Sequence, residues 1–210
     1  MIRLDIFSDP ICPWCYIGKA GLDAALEARP DHPFATEWHP FVLNPDMPPG
    51  GMDRRDYLAA KFGGRDGAVK AMLPVQQAAE AAGIAIDFAA QTRVPATLDA
   101  HRLIHWAGLE GRQNAVVGAL FRAYFAKGED IGDRAVLARI AGDAGLDAAM
   151  IARLLEGDGD VEEIRARDAE IRARGLRGVP AFVIAGQHVL QGAQPKEVWL
   201  RVIDELAGSA

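Results

Sequence analysis

The 210-residue chain has only two cysteines, no apolar run long enough to cross a bilayer and no excess of basic residues. Each shortage removes a class of function. Two cysteines cannot build the disulfide framework of a small secreted domain, and a core of this size needs no such staple. A net charge of −6 and a pI near 5.4 argue against a nucleic-acid partner, which calls for a basic face. A spanning helix needs about 20 consecutive apolar residues, so no membrane partner is indicated. The opening MIRLDIF lacks the charged, apolar and small-residue regions of a secretory signal. Repeats and low-complexity tracts are also lacking. These absences lead us to expect a cytoplasmic globular protein. In that compartment a cysteine pair serves redox chemistry or metal binding more often than structure.

The two cysteines that are present stand three apart, Cys12 and Cys15, in the stretch DPICPWCY. Random placement would give that separation about once in a hundred chains of this length. Before them, Ile2, Leu4 and Ile6 alternate with Arg3, Asp5 and Phe7, the period of a strand. After them, Ile17, Leu22, Ala25 and Leu26 suit a helix, with Pro13 where a first turn tolerates it. Residues 34–42 read as a second strand, ended by NPDMPPGG. From about 53 to 174 the pattern is helical. Thr97, Asp133 and Asp147 stand at predicted N-caps, and Gly175 stops a charged helix starting at Val161. AFVIA and HVLQ then read as a hairpin turning at Gly186-Gln187, and Pro195 opens a last helix. The order is β-α-β, a helical block, then β-β-α: an α/β fold whose small mixed sheet is interrupted by an α-helical insertion.

A C-x-x-C at the start of a helix places its first sulfur beside unpaired backbone N–H groups and the positive end of the helix dipole. Both favour the thiolate, the reactive form. We therefore expect Cys12 to be the nucleophile and Cys15, one turn in, the resolving thiol. Closing so short a ring contributes only about 2 kcal/mol. One pKa unit of thiolate stabilisation is about 1.4 kcal/mol, or roughly 30 mV for a two-electron couple. The surroundings of the thiolate, more than the ring, set the direction of electron flow. A structural zinc site needs four ligands, and no second cysteine pair exists. His101 and His105, at i and i+4, flank a core-facing stripe and read as packing or surface residues, so no metal is expected.

Together SDPICPWCYIGK, the late GVPAFVI, the following VLQGAQP and the segment TLDAHRLIHWA resemble the DsbA-like thioredoxin-fold proteins. The nearest group looks like the FrnE-type cytoplasmic oxidoreductases, related to 2-hydroxychromene-2-carboxylate isomerases and kappa-class glutathione transferases. The resemblance covers nearly the whole chain. It implies a thioredoxin core from about residues 1–45 and 160–210, with residues 46–159 as the helical insertion. It also implies thiol–disulfide exchange at Cys12 and Cys15 and a cis peptide at Val179-Pro180. Ile11, Pro13, Trp14 and Phe41, with Leu43 and Val179, are expected to form an apolar rim for substrate.

Two departures from the family pattern stand out. The acid that such proteins often bury six residues before the first cysteine is here Ile6. Asp9, Glu37, His39 or a water would have to manage the proton of Cys15. The isomerases typically carry Ser where Cys12 stands, which disfavours an isomerase reading. The leading expectation is a thiol:disulfide oxidoreductase or disulfide isomerase. It would act on protein or peptide disulfides and thiols, with glutathione as co-substrate and no other cofactor. The alternatives are a glutathione-dependent isomerase or transferase and a non-enzymatic holdase. The arginines at 165, 167, 172, 174 and 177 read as a solvated helix face, and Gly63, Gly64 and Gly67 do not match a phosphate-binding loop.

Overall fold

The computed structural model describes residues 1–208. Strand β1 (Ile2–Ser8) leads into helix α1 (Pro13–Ala28), and β2 (Phe34–Pro40) returns parallel to β1. At the other end of the chain β5 (Ala181–Ile184) and β6 (His188–Gln191) form a hairpin followed by α9 (Lys196–Gly208). β5 pairs antiparallel with β1, giving one four-stranded mixed sheet in the order β2-β1-β5-β6. The intervening block holds the short strands β3 (Met52–Asp53) and β4 (Arg93–Val94), which pair with each other. It also holds α2 (Arg54–Phe62), α3 (Arg65–Ala81), α4 (Leu98–Leu109), α5 (Gln113–Phe121), α6 (Arg134–Asp143), α7 (Ala148–Glu156) and α8 (Val161–Ala173).

The alternation in β1 decides what lies on each side of the sheet. Leu4 and Ile6 are fully buried, and Ile6 stands in register with Trp38 and Phe182. That face packs against α1 and α9, where Trp199 meets Phe182 edge-on at 4.8 Å. The opposite face carries Asp5, Phe7 and His39, with His39 bonded to Asp5 at 2.6 Å and stacked on Phe7.

Local chemistry explains most helix ends. Asp133 accepts from the Ala135 N–H and Asp147 from the Met150 N–H, as capping residues do. Thr97 precedes α4 but caps nothing; its hydroxyl points to Asp9. The hairpin turn is centred on Ala185 and Gly186, both at positive φ, one residue earlier than its glycine suggested. Helix α5 runs on into a wide π turn, Arg122–Ala126. There Phe121 and Phe125 both stack on Tyr16 of α1, at 5.3 and 5.5 Å. Among the described residues no helix is long and apolar enough to cross a membrane.

Two glycines on α1 let chain segments close on it. The Pro180 ring lies against Gly18, and a Cβ on Gly21 would sit inside contact distance of the Gln194 carbonyl oxygen. Helix propensity alone favours Ala over Gly by about 1 kcal/mol. Displacing a packed backbone outweighs it, because the carbonyl cannot rotate away as a side chain would. Gly21→Ala is therefore expected to lower stability by about 1–3 kcal/mol in urea unfolding; an unchanged or raised midpoint would show that the loop at Gln194 yields freely.

Candidate active site

The turn between β1 and α1 delivers Cys12 to the helix N-terminus. The Cys12 N–H donates to the Asp9 carbonyl at 2.9 Å, and its backbone is extended while Pro13 occupies the first helical position. The Cys12 carbonyl then accepts from the N–H groups of Cys15 and Tyr16. Its sulfur lies 3.7 Å from the carbonyl oxygen of Val179, and the Val179–Pro180 peptide is cis. Two loops far apart in sequence thus meet at one sulfur.

The two cysteines, both free thiols here, have different surroundings. Cys12 is only 5% exposed but lines a cleft of about 320 Å³. Cys15 is 1% exposed and does not line it. Burial pushes the Cys15 thiol well up, and its hydrogen bond and charge interaction with Cys12 push it further; the Ser8 hydroxyl and the Asp9 N–H act the other way. Cys15 is held as a thiol behind the sulfur that faces the cleft.

Of the residues expected at the rim, Ile11, Pro13, Trp14, Leu43 and Val179 line this cleft with Cys12. Trp14, at 37%, is the most exposed of the large apolar side chains there. Phe41 does not belong. It is 1% exposed and packs on Leu176 and Ala181, with the Arg172 guanidinium 4.0 Å from its ring centre. The reason lies in α8: Asp168 accepts from the Val42 N–H and Arg172 donates to the Val42 carbonyl. This turns the chain after β2 so that Phe41 rolls inward and Leu43 faces the cleft. Arg172 is accordingly half-buried and ties α8 to the chain after β2, where the sequence suggested a fully solvated position. Arg165, Arg167 and Arg174 do pair with acids three or four residues away, as expected.

The far wall comes from the helical block and escaped the reading of the sequence: Arg54, Tyr57, Leu58, Lys61, Phe62, Met72, Val75, Phe88, Gln91 and Tyr124. The spacing of Tyr57, Leu58, Lys61 and Phe62 on one side of α2 is the signal that would have found part of it. A larger depression, about 700 Å³, lies on the opposite side of the sheet around Asp5, His39 and Arg174. It is lined by ion-paired charges and holds neither cysteine, so the smaller cleft is the candidate site.

Asp9 is not simply a turn residue. It is fully buried, and its carboxylate accepts from the N–H groups of Leu43 (2.7 Å) and Ile11 (3.2 Å) and from the Thr97 hydroxyl (3.3 Å). Burial raises its pKa to about 6 against the lowering effect of those bonds, with Asp168 adding a little. The buried His101 brings Nε2 to 4.0 Å from Asp9, and burial lowers its pKa to about 4 while the charge of Asp168 opposes. His39 and Glu37, the other candidates for the proton of Cys15, lie by Asp5 on the opposite side of the sheet. His105 lies apart from His101, beside Asp160 and Glu163.

The profile model for the DsbA-like thioredoxin domain matches residues 3–204. The chain belongs to that family. It is 28% identical to the uncharacterised protein YwbO of Bacillus subtilis, covering 97% of this chain and 96% of that one. Among solved structures, a probable DsbA oxidoreductase from Streptomyces coelicolor superposes with a TM-score of 0.88 at 32% identity, covering 100% of this chain and 92% of that one. The cytosolic disulfide reductase DsbM of Pseudomonas aeruginosa shares the fold at 20% identity, with a TM-score of 0.72 over 99% of this chain and 100% of that one. DsbM has also been solved with GSH. The two solved structures match the whole architecture, helical block included.

Asp9 and His101 pull stability in opposite directions with pH. The raised Asp9 favours the fold below its unfolded pKa near 3.8, a contribution lost as pH rises through about 6. The lowered His101 contributes above its unfolded pKa of 6.5 and loses that as pH falls through about 4. Each swing is about 3 kcal/mol. His101→Gln is therefore expected to gain stability relative to wild type, by up to about 3 kcal/mol, as urea midpoints are followed from pH 7 to pH 4. Asp9→Asn is expected to lose stability over the same range; parallel pH profiles for all three proteins would contradict both assignments.

Proposed function

We propose that the protein is a thiol:disulfide oxidoreductase of the cytoplasm, with Cys12 as nucleophile and Cys15 as resolving thiol. One observation carries the reading. The sulfur of Cys12 stands at a helix N-terminus on the wall of a cleft, and the thiol of Cys15 lies buried one turn behind it. The family assignment and the likeness to disulfide reductases and DsbA oxidoreductases support it.

The steps follow from that placement. The thiolate of Cys12 attacks one sulfur of a substrate disulfide. A Cys12–substrate disulfide forms, and the other substrate sulfur leaves as a thiolate that takes up a proton. Cys15 then gives up its proton and attacks the Cys12 sulfur, releasing the second substrate thiol and closing the Cys12–Cys15 disulfide. The substrate has gained two electrons and two protons, and two equivalents of a thiol such as glutathione restore the dithiol. The N–H of Asp9 and the hydroxyl of Ser8 meet the Cys15 sulfur and favour the thiolate that this step needs. Substrate disulfides on proteins, peptides or glutathione itself meet the chemical requirement.

Cys15→Ala is expected to accumulate a covalent adduct on Cys12 when challenged with a disulfide, visible by mass spectrometry and released by dithiothreitol. Cys12→Ala is expected to form none. Undiminished turnover of a glutathione conjugate by Cys15→Ala, with no adduct, would replace exchange by glutathione-dependent isomerisation.

A further inference from the structure

Away from the Cys12 cleft, the described residues bring metal-ligating side chains together in two places. One is His105 with Asp160 and Glu163; both acids are exposed, and Asp160 already accepts from the Trp106 indole N–H at 2.7 Å. The other is Asp5, Glu37 and His39, on the side of the sheet away from the cysteines. None of the ligands weighed from the sequence, Cys12, Cys15, His101 and His105, belongs to this second set.

The sheet itself assembles it. Asp5 on β1 stands in register with Glu37 on β2, and His39 follows Glu37 by two, so all three project from one face. Two carboxylates side by side on neighbouring strands repel, and the Asp5 side chain is only 10% exposed, where water screens poorly. Among the described residues, the one Lys or Arg within ion-pair distance of either acid is Arg3, 2.6 Å from Asp5 and 3.6 Å from Glu37. Its side chain is 61% exposed, so it can leave at little cost. Arg167 and Arg174, which line the same depression, are held by Glu163 and Glu170.

The spacing suits a metal. His39 Nε2 lies 2.6 Å from Asp5 Oδ1 and 3.8 Å from Glu37 Oε1, and ligand atoms of all three residues fall within 4.8 Å of one another. A tetrahedral zinc site with bonds of about 2.1 Å separates its ligands by about 3.4 Å, so the donors need to shift by about 1 Å or less. His39 is stacked on Phe7, ring centres 5.0 Å apart, which orients the imidazole plane. The remaining coordination positions face the depression of about 700 Å³ and are left to water.

We propose that Asp5, Glu37 and His39 bind a divalent transition-metal cation of the zinc class, which displaces Arg3 and clamps β1 to β2. The imidazole selects against Mg²⁺ and Ca²⁺, which take oxygen ligands. The set lies across the sheet from Cys12 and Cys15, so the metal site stands or falls independently of the exchange reading.

The full-length Cys12→Ser/Cys15→Ser variant is the protein to test, because a free thiol pair binds Zn²⁺ and Co²⁺ itself. Calorimetric titration with Zn²⁺ is expected to show a single site per chain, and Co²⁺ to develop visible d–d absorption without thiolate charge-transfer bands. Mg²⁺ and Ca²⁺ should give no binding heat. In this background Glu37→Gln and His39→Gln should each weaken Zn²⁺ binding by about 100-fold or more. Arg3→Gln should strengthen it by about 3- to 10-fold, because the competing guanidinium is gone. Dichroism spectra check the fold; the Glu37 side chain is 46% exposed, so Glu37→Gln decides the matter even if His39→Gln does not fold. Absence of saturable Zn²⁺ binding overturns the proposal. So does binding that His105→Gln abolishes while Glu37→Gln leaves it intact, or binding that Arg3→Gln leaves unchanged or weakens.

Discussion

The carboxylate of Asp9 joins three segments that are remote in sequence. It takes hydrogen bonds from Ile11 at the entrance to α1, from Leu43 after β2 and from Thr97 before α4. These bonds define where the Cys12–Cys15 turn sits against the sheet and where the helical block begins. They leave the Cys12 N–H to bond the Asp9 carbonyl and the Asp9 N–H to meet the Cys15 thiol. A neutral residue of the same shape would satisfy fewer of these donors. The cost is a charge buried with no cation beside it, which is why the pKa of the carboxyl is raised to about 6.

The site is an asymmetric container built around that tie. One wall is the Cys12–Cys15 turn and the Val179–Pro180 loop, set against α1 at Gly18. The other is α2, α3 and the π turn, which bring Arg54, Lys61 and aromatic side chains opposite the sulfur. One wall carries the Cys12 sulfur, and the other is positively charged and partly apolar.

Much of this was legible in the sequence because it depends on local periodicity and short spacing. The alternation in β1, the C-x-x-C at a helix start, the caps at Asp133 and Asp147 and the proline before β5 each act within a few residues. What was not legible depends on contacts between segments. Phe41 shares the composition of a rim residue, but the bonds of Asp168 and Arg172 to the chain around Val42 turn it inward. Asp9 looks like any turn aspartate until Leu43 and Thr97 converge on it. Thr97 sits at a cap position yet spends its hydroxyl elsewhere. Arg54 is one arginine among many in the helical block. Only the packing of α2 over α3, with Phe88 against its guanidinium, makes it half-buried and unpaired.

The central claim is that Cys12 and Cys15 act as one exchanging pair. The most direct test is to equilibrate the protein in glutathione redox buffers, alkylate free thiols and read the species by mass. The account predicts a Cys12–Cys15 disulfide that forms and opens reversibly as the buffer is varied across roughly −300 to −150 mV, with the mixed disulfide on Cys12 as the minor species. A protein that never closes the pair at any buffer composition, while still binding glutathione, would contradict it.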